Sequence, residues 1–263
     1  MASFAGSQGI VHYERWQPTG PLQRLVLIVH GYAEYGARYG HVARVLVEQG
    51  AAVYAPDHIG HGESDGERAL ITDFEQVVDD LRTLVDIASE EHPSSPLVII
   101  GHSMGGLLAA RFAQRFPDRV AGMVLLGAVI GDWHWAREVL AAPELPAAST
   151  DFSGMSRDPV AVQAYASDPL IYHGPYKRPL LEAEIVALGR FQAQLDRLVM
   201  PVLFCHGTDD PYVDYRTSLA AVEAMPSTDV TIRLYDGARH ELVNETNRDE
   251  TIAEIAHFVA RVT

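Results

Sequence analysis

Leu97-Val98-Ile99-Ile100-Gly101-His102-Ser103-Met104-Gly105-Gly106 is an apolar, strand-like run that breaks at a serine framed by small residues and then continues with a helical pattern. Such a run presents Ser103 at a sharp strand-to-helix turn. A serine hydroxyl is a weak nucleophile until a base takes its proton, so it has to stand clear of the strand end, within reach of a histidine. The residues two before and two after it must be small for the turn to close, and Gly101 and Gly105 meet that demand. The helix that follows aims its first N–H groups at developing negative charge.

The same G-x-S-x-G spacing recurs at Gly62-Glu63-Ser64-Asp65-Gly66, as expected of a pattern that chance produces in roughly one chain in ten of this length. There it follows a polar His/Gly loop rather than a strand, and no helical period starts until near residue 73. Context therefore selects Ser103 as the nucleophile and leaves Ser64 as a turn residue.

Working outward, short runs rich in Val, Leu and Ile predict strands at Gln23–His30, Ala51–Ala55, Leu97–His102, Val120–Gly127, Pro201–Cys205 and Val230–Tyr235, with Gly9–Trp16 as an edge strand. Between them lie amphipathic helices. The clearest places Phe74, Val77, Val78, Leu81, Leu84, Val85 and Ala88 on one face, with Thr72 and Glu75 spaced as a capping box and Pro93 beyond its end. A second face, of Ile252, Ile255, Ala256 and Val259, closes the chain. This alternation predicts an α/β fold, a mainly parallel sheet flanked by helices on both faces. The stretch 130–188, rich in Pro, Ala, Trp and Tyr, interrupts it and reads as a helical cap (lid) inserted into a core formed by 1–129 and 189–263. Its aromatics, Trp133, Trp135, Tyr165, Tyr172 and Tyr176, either line an apolar tunnel or touch lipid, or else pack a small cap layer.

The chain has 263 residues and a formal net charge of −15, with no clustered Lys/Arg run. That balance opposes binding to nucleic acid and to anionic lipid head groups, and points to small neutral or cationic partners. Cys205 is the only cysteine, so no disulfide joins two parts of the chain. The start Met1-Ala2-Ser3-Phe4-Ala5-Gly6 lacks the basic and apolar segments of a signal peptide, and no run has the ~18 apolar residues of a membrane span. The cytoplasm is the expected location, with the cap as the part that would touch a lipid interface. Oligomeric state is left open.

A nucleophile needs a base, a group that orients the base, and donors for the oxyanion. The run Val202-Leu203-Phe204-Cys205 leads into His206-Gly207-Thr208-Asp209-Asp210-Pro211, and Thr231-Ile232-Arg233-Leu234-Tyr235 leads into Asp236-Gly237-Ala238-Arg239-His240-Glu241. His240 is thus the candidate base. Asp209, Asp210 and Asp214 all stand near the required place, and spacing does not choose among them. The chain order Ser, Asp, His is that of the α/β-hydrolases. The expected oxyanion donors are the backbone N–H groups of Met104 and, after Leu25-Val26-Leu27-Ile28-Val29-His30-Gly31, of Tyr32.

Further motifs extend the pattern: His30-Gly31-Tyr32-Ala33-Glu34-Tyr35-Gly36-Ala37-Arg38-Tyr39, Asp57-His58-Ile59-Gly60-His61-Gly62-Glu63-Ser64, and Ser167-Asp168-Pro169-Leu170. Taken with the nucleophile turn, His206–Asp210 and His240, they resemble the monoacylglycerol lipase family of the α/β-hydrolase superfamily, its bacterial members in particular. The likeness runs from about residue 10 to the C-terminus. It implies cofactor-free hydrolysis of monoacylglycerols to glycerol and fatty acid through an acyl-enzyme on Ser103. The family's G-[ST]-x-D motif then implies that Asp210 is the acid, and its H-G-x-x-E-x-x-x-R-Y and Y-x-S-D-P-L segments make Glu34, Arg38 and Tyr165 candidates for holding glycerol hydroxyls or supporting the loop that does, the other reading being a structural Glu–Arg pair and a packed tyrosine. Three departures stand out. Ala33 and Tyr35 replace a common glycine and histidine, Val243 stands where animal members have a second histidine, and the insertion is short between Ile130 and Asp151.

Other readings carry less of the sequence. Asp57, His58 and His61 have short metal-like spacing but no second ligand cluster, so no metal site is expected. Cys205 lies in an apolar strand, the setting of an inert thiol. A hydrolase-fold receptor for small molecules would have no use for a complete triad. The close rival is a broader carboxylesterase, lysophospholipase or thioesterase using the same residues.

Overall fold

The computed structural model describes residues 2–263. The chain opens with an antiparallel pair, β1 (Ala2–Gly6) and β2 (Gly9–Trp16). Five fully buried strands follow, β3 (Arg24–Val29), β4 (Ala51–Pro56), β5 (Leu97–His102), β6 (Gly122–Leu126) and β7 (Val202–Gly207), and β8 (Val230–Tyr235) forms the far edge. They make one sheet in the order β1-β2-β4-β3-β5-β6-β7-β8, antiparallel only where β2 meets β1 and β4. The sheet places β5 at its centre, so the residues leaving its C-terminal end emerge mid-sheet, where strands on both sides contribute loops.

The near-continuous apolar runs of β3 to β7 expose both faces of the sheet to burial, and helices must cover each. The helices are α1 (Gly40–Glu48), α2 (Phe74–Glu91), α3 (Met104–Arg115), α4 (His134–Ala141), α5 (Pro159–Ser167), α6 (Arg178–Gln192), α7 (Tyr215–Glu223) and α8 (Arg248–Val262). One face packs under α1 and α8 through Val42, Leu46, Ile255, Phe258 and Val259. The other packs under α2, α3, α6 and α7 through Phe74, Leu84, Leu107, Phe112, Phe191 and Val222. Burying side chains of this size stabilises by about 1.5–3 kcal/mol each.

Every predicted strand is present, with ends moved by a residue or two, and β7 runs on to include His206 and Gly207. Strand β1 was not expected, because Ala, Ser and Gly give its alternation little hydrophobic contrast. The predicted capping box also fails. Helix α2 starts at Phe74 with Asp73 as its cap, the Asp73 carboxylate accepting the Glu75 N–H at 3.0 Å. Asp73 lies nearer than Thr72, and the Glu75 carboxylate that would complete the box is drawn to Arg111 at 2.9 Å and Arg115 at 3.2 Å. Between β6 and β7 the stretch 130–188 carries α4, α5 and most of α6, with no strand among the described residues. Helix α6 continues across the expected boundary at 188 and packs on α3.

Candidate active site

Ser103 ends β5 and precedes α3 with φ 53° and ψ −122°, a conformation that a residue with a Cβ rarely adopts and that stores about 1–3 kcal/mol. The surroundings over-determine it. The Ser103 N–H donates to the Leu126 carbonyl at 3.0 Å, and its own carbonyl accepts from Gly106 at 2.9 Å and Val129 at 3.1 Å. A Cβ on Gly101 would collide with the Gly105 carbonyl, and one on Gly105 with the carbonyls of Val29 and His30. Both glycines are there because backbones close on them, as the sequence implied. Among the described residues no protein acceptor takes the Tyr32 or Met104 N–H, and Met104, as the first residue of α3, has no intrahelical partner to give.

The three candidate acids separate in space. Asp209 and Asp214 are exposed, and Asp214 caps α7 by accepting the Arg216 N–H. Asp210 faces inward with its side chain 1 % exposed, and His240 Nδ1 donates to its Oδ2 at 2.7 Å. His206 Nε2 lies 3.2 Å from the same oxygen, and the N–H groups of Tyr212 and Val213 donate to Oδ1 at 2.9 and 3.1 Å. Burial alone would raise the Asp210 carboxyl, but His240 and His206 hold it well below the usual carboxylate range. His240 and Ser103 line one pocket, and the Ser103 hydroxyl makes no hydrogen bond among the described residues.

Glu34 and Arg38 form the structural pair that was the alternative to glycerol contact, and the pair sits in a wider buried cluster. Glu34 Oε1 accepts from the Gly31 N–H at 2.7 Å, the Tyr39 hydroxyl at 2.9 Å and His102 Nδ1 at 2.7 Å. Arg38 bridges Glu34 at 2.7 Å and Glu241 at 2.6 and 2.9 Å, and its guanidinium lies 5.0 Å from the Tyr165 ring. His102 Nε2 donates to the His240 carbonyl at 3.3 Å. Burial disfavours charge on both Glu34 and His102, yet their mutual attraction prevails, holding the carboxylate low and the imidazole above its ordinary value. Arg38 likewise stays charged against burial because Glu241 and Glu34 flank it. The cluster joins the end of β5 to the loops after β3 and β8, with His102 and Glu241 as members that the sequence reading missed. Each neighbours a predicted catalytic residue, which was the available signal.

The pocket above Ser103 is a cavity of about 430 Å³. All five aromatics singled out in 130–188 line it, so the tunnel alternative holds for Trp133, Trp135, Tyr165, Tyr172 and Tyr176. Glu34 reaches the wall, and Arg38 stands behind it. The wall divides by its ring contacts. Tyr32 stacks on Tyr176 at 4.6 Å, which meets Trp135 at 5.0 Å and through it Trp133 at 5.5 Å. A separate trio packs Phe152 and Tyr165 against His173 at 5.0 and 5.8 Å.

The remaining candidates lie elsewhere. Ser64 is buried, donating to the Asp57 carbonyl at 2.7 Å and accepting the His12 N–H at 2.8 Å, and thereby pins its loop to β2. Asp57 accepts the N–H groups of Gly36 and Glu63, while the His58 ring packs tilted against His30 with centroids 4.0 Å apart. Burial pushes the Cys205 thiol up to about 12. Val243 packs in the core under α8, its carbonyl accepting from His41. Ala33 holds φ 68°, a left-handed conformation that favours glycine.

A buried Asp–His pair facing a serine on a strained turn, at the C-terminal edge of a sheet covered on both faces, defines a serine hydrolase of the α/β-hydrolase fold. The family model described as serine aminopeptidase S33 matches residues 20–247. The chain belongs to that family, alongside the monoacylglycerol lipases. It is 35% identical to the monoacylglycerol lipase of Mycolicibacterium smegmatis, over 98% of this chain and 95% of the relative. It is also 35% identical to the human monoglyceride lipase, over 88% and 79%. Among solved structures it is similar to the Paleococcus ferrophilus monoacylglycerol lipase, with TM-score 0.83 and 25% identity over 96% of this chain and 99% of the other.

Proposed function

We propose that the chain hydrolyses monoacylglycerols to glycerol and a fatty acid, with Ser103, His240 and Asp210 as its triad. The observation that carries this is the joining of His240 to buried Asp210 beside Ser103 at the floor of a pocket walled by aromatics; the monoacylglycerol lipases among its relatives supply the substrate class.

Ser103 attacks the ester carbonyl as His240 takes its proton, and Asp210 fixes the imidazole tautomer and stabilises the imidazolium. The N–H groups of Tyr32 and Met104 receive the oxyanion, each donor contributing about 2.7–4 kcal/mol in such sites. His240 then protonates the leaving glycerol and activates the water that releases the fatty acid. The stretch 130–188 acts as a cap that shields the acyl chain. The chain lies along Tyr32, Tyr176, Trp135 and Trp133, and glycerol faces Glu34, Tyr165 and His173. Arg38 serves by holding Glu34 and Glu241 rather than by touching substrate. Among the described residues no helix is long and apolar enough to cross a membrane.

A broader carboxylesterase is favoured by one observation. Glu34 already accepts three hydrogen bonds and an arginine, which leaves it little capacity for glycerol hydroxyls. Initial rates of wild type and Ser103→Ala on a chain-matched monoacylglycerol, diacylglycerol, triacylglycerol, lysophospholipid and alkyl ester separate the two. Ser103-dependent preference for the monoacylglycerol supports the lipase, and equal or faster turnover of the alkyl ester supports the esterase.

A further inference from the structure

Glu184 projects from α6 into the wall of the catalytic pocket, 1 % exposed, and neither carboxyl oxygen makes a hydrogen bond among the described residues. Its helix otherwise buries Leu180, Leu181, Ala187, Leu188 and Phe191. Burial pushes the carboxyl up to about 8, so at neutral pH it is mainly the neutral acid, able both to donate and to accept. Three further side chains with buried, unpartnered polar atoms line the same pocket: Tyr32 through its hydroxyl, Trp133 through its indole N–H, and His173 through both ring nitrogens, the last in the separate group with Phe152 and Tyr165. The Tyr32–Tyr176–Trp135–Trp133 ring contacts tie Tyr32 and Trp133 into one wall, and Glu184 acts electrostatically on both Tyr32 and Tyr176. That wall begins beside the reacting carbon, because Tyr32 also supplies an oxyanion N–H.

Buried polar groups in native proteins almost always have partners, and Glu184, Tyr32 Oη and Trp133 Nε1 have none among the described residues. A plain alkyl chain would leave all three unpaired in a dry pocket. A hydroxyl would accept from the indole N–H or the acid and donate to a carboxyl or phenol oxygen. We propose that Glu184, Tyr32 Oη and Trp133 Nε1 form a subsite that selects acyl chains bearing a neutral oxygen function, a hydroxyl above all. The assignment to the acyl side rests on the proposed placement of acyl chain and glycerol.

The test uses p-nitrophenyl esters of hexanoic acid and of hexanoic acids hydroxylated at successive carbons, so that acyl selectivity is read without glycerol. For at least one hydroxyl position, the ratio of kcat/KM for hydroxylated over plain chains should fall about tenfold or more in Glu184→Leu, with a gain on the plain chain. Glu184→Gln, which keeps a donor and an acceptor, should hold the ratio within about threefold, and Trp133→Phe should lower it. Should the leucine variant not fold, the other two carry the comparison. Equal ratios in wild type, Glu184→Leu and Trp133→Phe would overturn the proposal, as would a preference for an amino-substituted chain over the hydroxylated one. Failure of the glycerol reading shows separately, as poor turnover of monoacylglycerol with the acyl ratio still dependent on residue 184.

Discussion

Replacing Glu184 by glutamine should remove a pH-dependent loss of stability that the wild-type chain carries. In the folded protein the carboxyl binds its proton up to about pH 8, against 4.5 for an exposed glutamate. Between those values the folded state holds a proton that the unfolded state has released, so wild-type stability falls as pH rises. Below about pH 4.5 the contribution is fully present, and above about pH 8 the loss is complete and levels off. At ~1.4 kcal/mol per pH unit, the whole interval amounts to about 5 kcal/mol, a large share of the stability of a typical domain. Glutamine has nearly the same shape and no titration, so the difference between the two proteins cancels the contribution of every other group. Urea unfolding followed by far-ultraviolet circular dichroism, at intervals from about pH 5 to about pH 9, should show the glutamine variant's relative advantage growing by several kcal/mol and then reaching a plateau. Parallel curves for the two proteins would refute the reasoning, since they would mean that Glu184 ionises freely in the folded state.

Asp210→Asn should keep the fold and lower kcat by about ten-thousand-fold, because the wrong imidazole tautomer then faces Ser103, whereas Asp209→Asn should stay within about twofold in a steady-state assay. Glu34→Gln leaves Arg38 and His102 facing a neutral amide and should destabilise by about 3–5 kcal/mol in urea unfolding, with the double variant Glu34→Gln/Arg38→Met costing less than the sum of the singles. Ser103→Gly relieves the positive φ and should be more stable than Ser103→Ala by about 1 kcal/mol, after the added freedom of the unfolded glycine is subtracted, while both abolish turnover. Identical unfolding midpoints for these two would show that the turn is unstrained.

What the sequence disclosed follows from how far each interaction reaches along the chain. Strands β3 to β7 are legible because each is its own apolar run, and the Ser103 turn because its requirement for small residues lies within five positions. Asp210 and His240 each sit just beyond a recognisable strand, so chain order sufficed to nominate them, although the choice between Asp209 and Asp210 needed the family motif. The Arg38–Glu241 pair joins residues 203 positions apart, and no local period carries such information. The Glu34–His102 contact spans 68 positions, and His102 was read only as a filler of the nucleophile motif. The unexpected cap at Asp73 and the unexpected strand β1 are misses of another kind, where a neighbouring charge or a weak alternation outweighed a local rule.

The clasp formed by Glu34, Arg38, His102 and Glu241 bears on how this protein wears out. It fastens the loop that holds His240 to the Gly31–Arg38 loop and to the end of β5 that precedes Ser103, through side chains anchored at the top of the central sheet. The lower half of the catalytic centre therefore has no independent way to come apart. On heating, esterase activity should persist until the sheet itself melts, and inactivation and loss of ellipticity should share a single midpoint. Any earlier decline in activity then belongs to the inserted helices above the pocket, which makes them the part to stiffen when a longer working life is wanted.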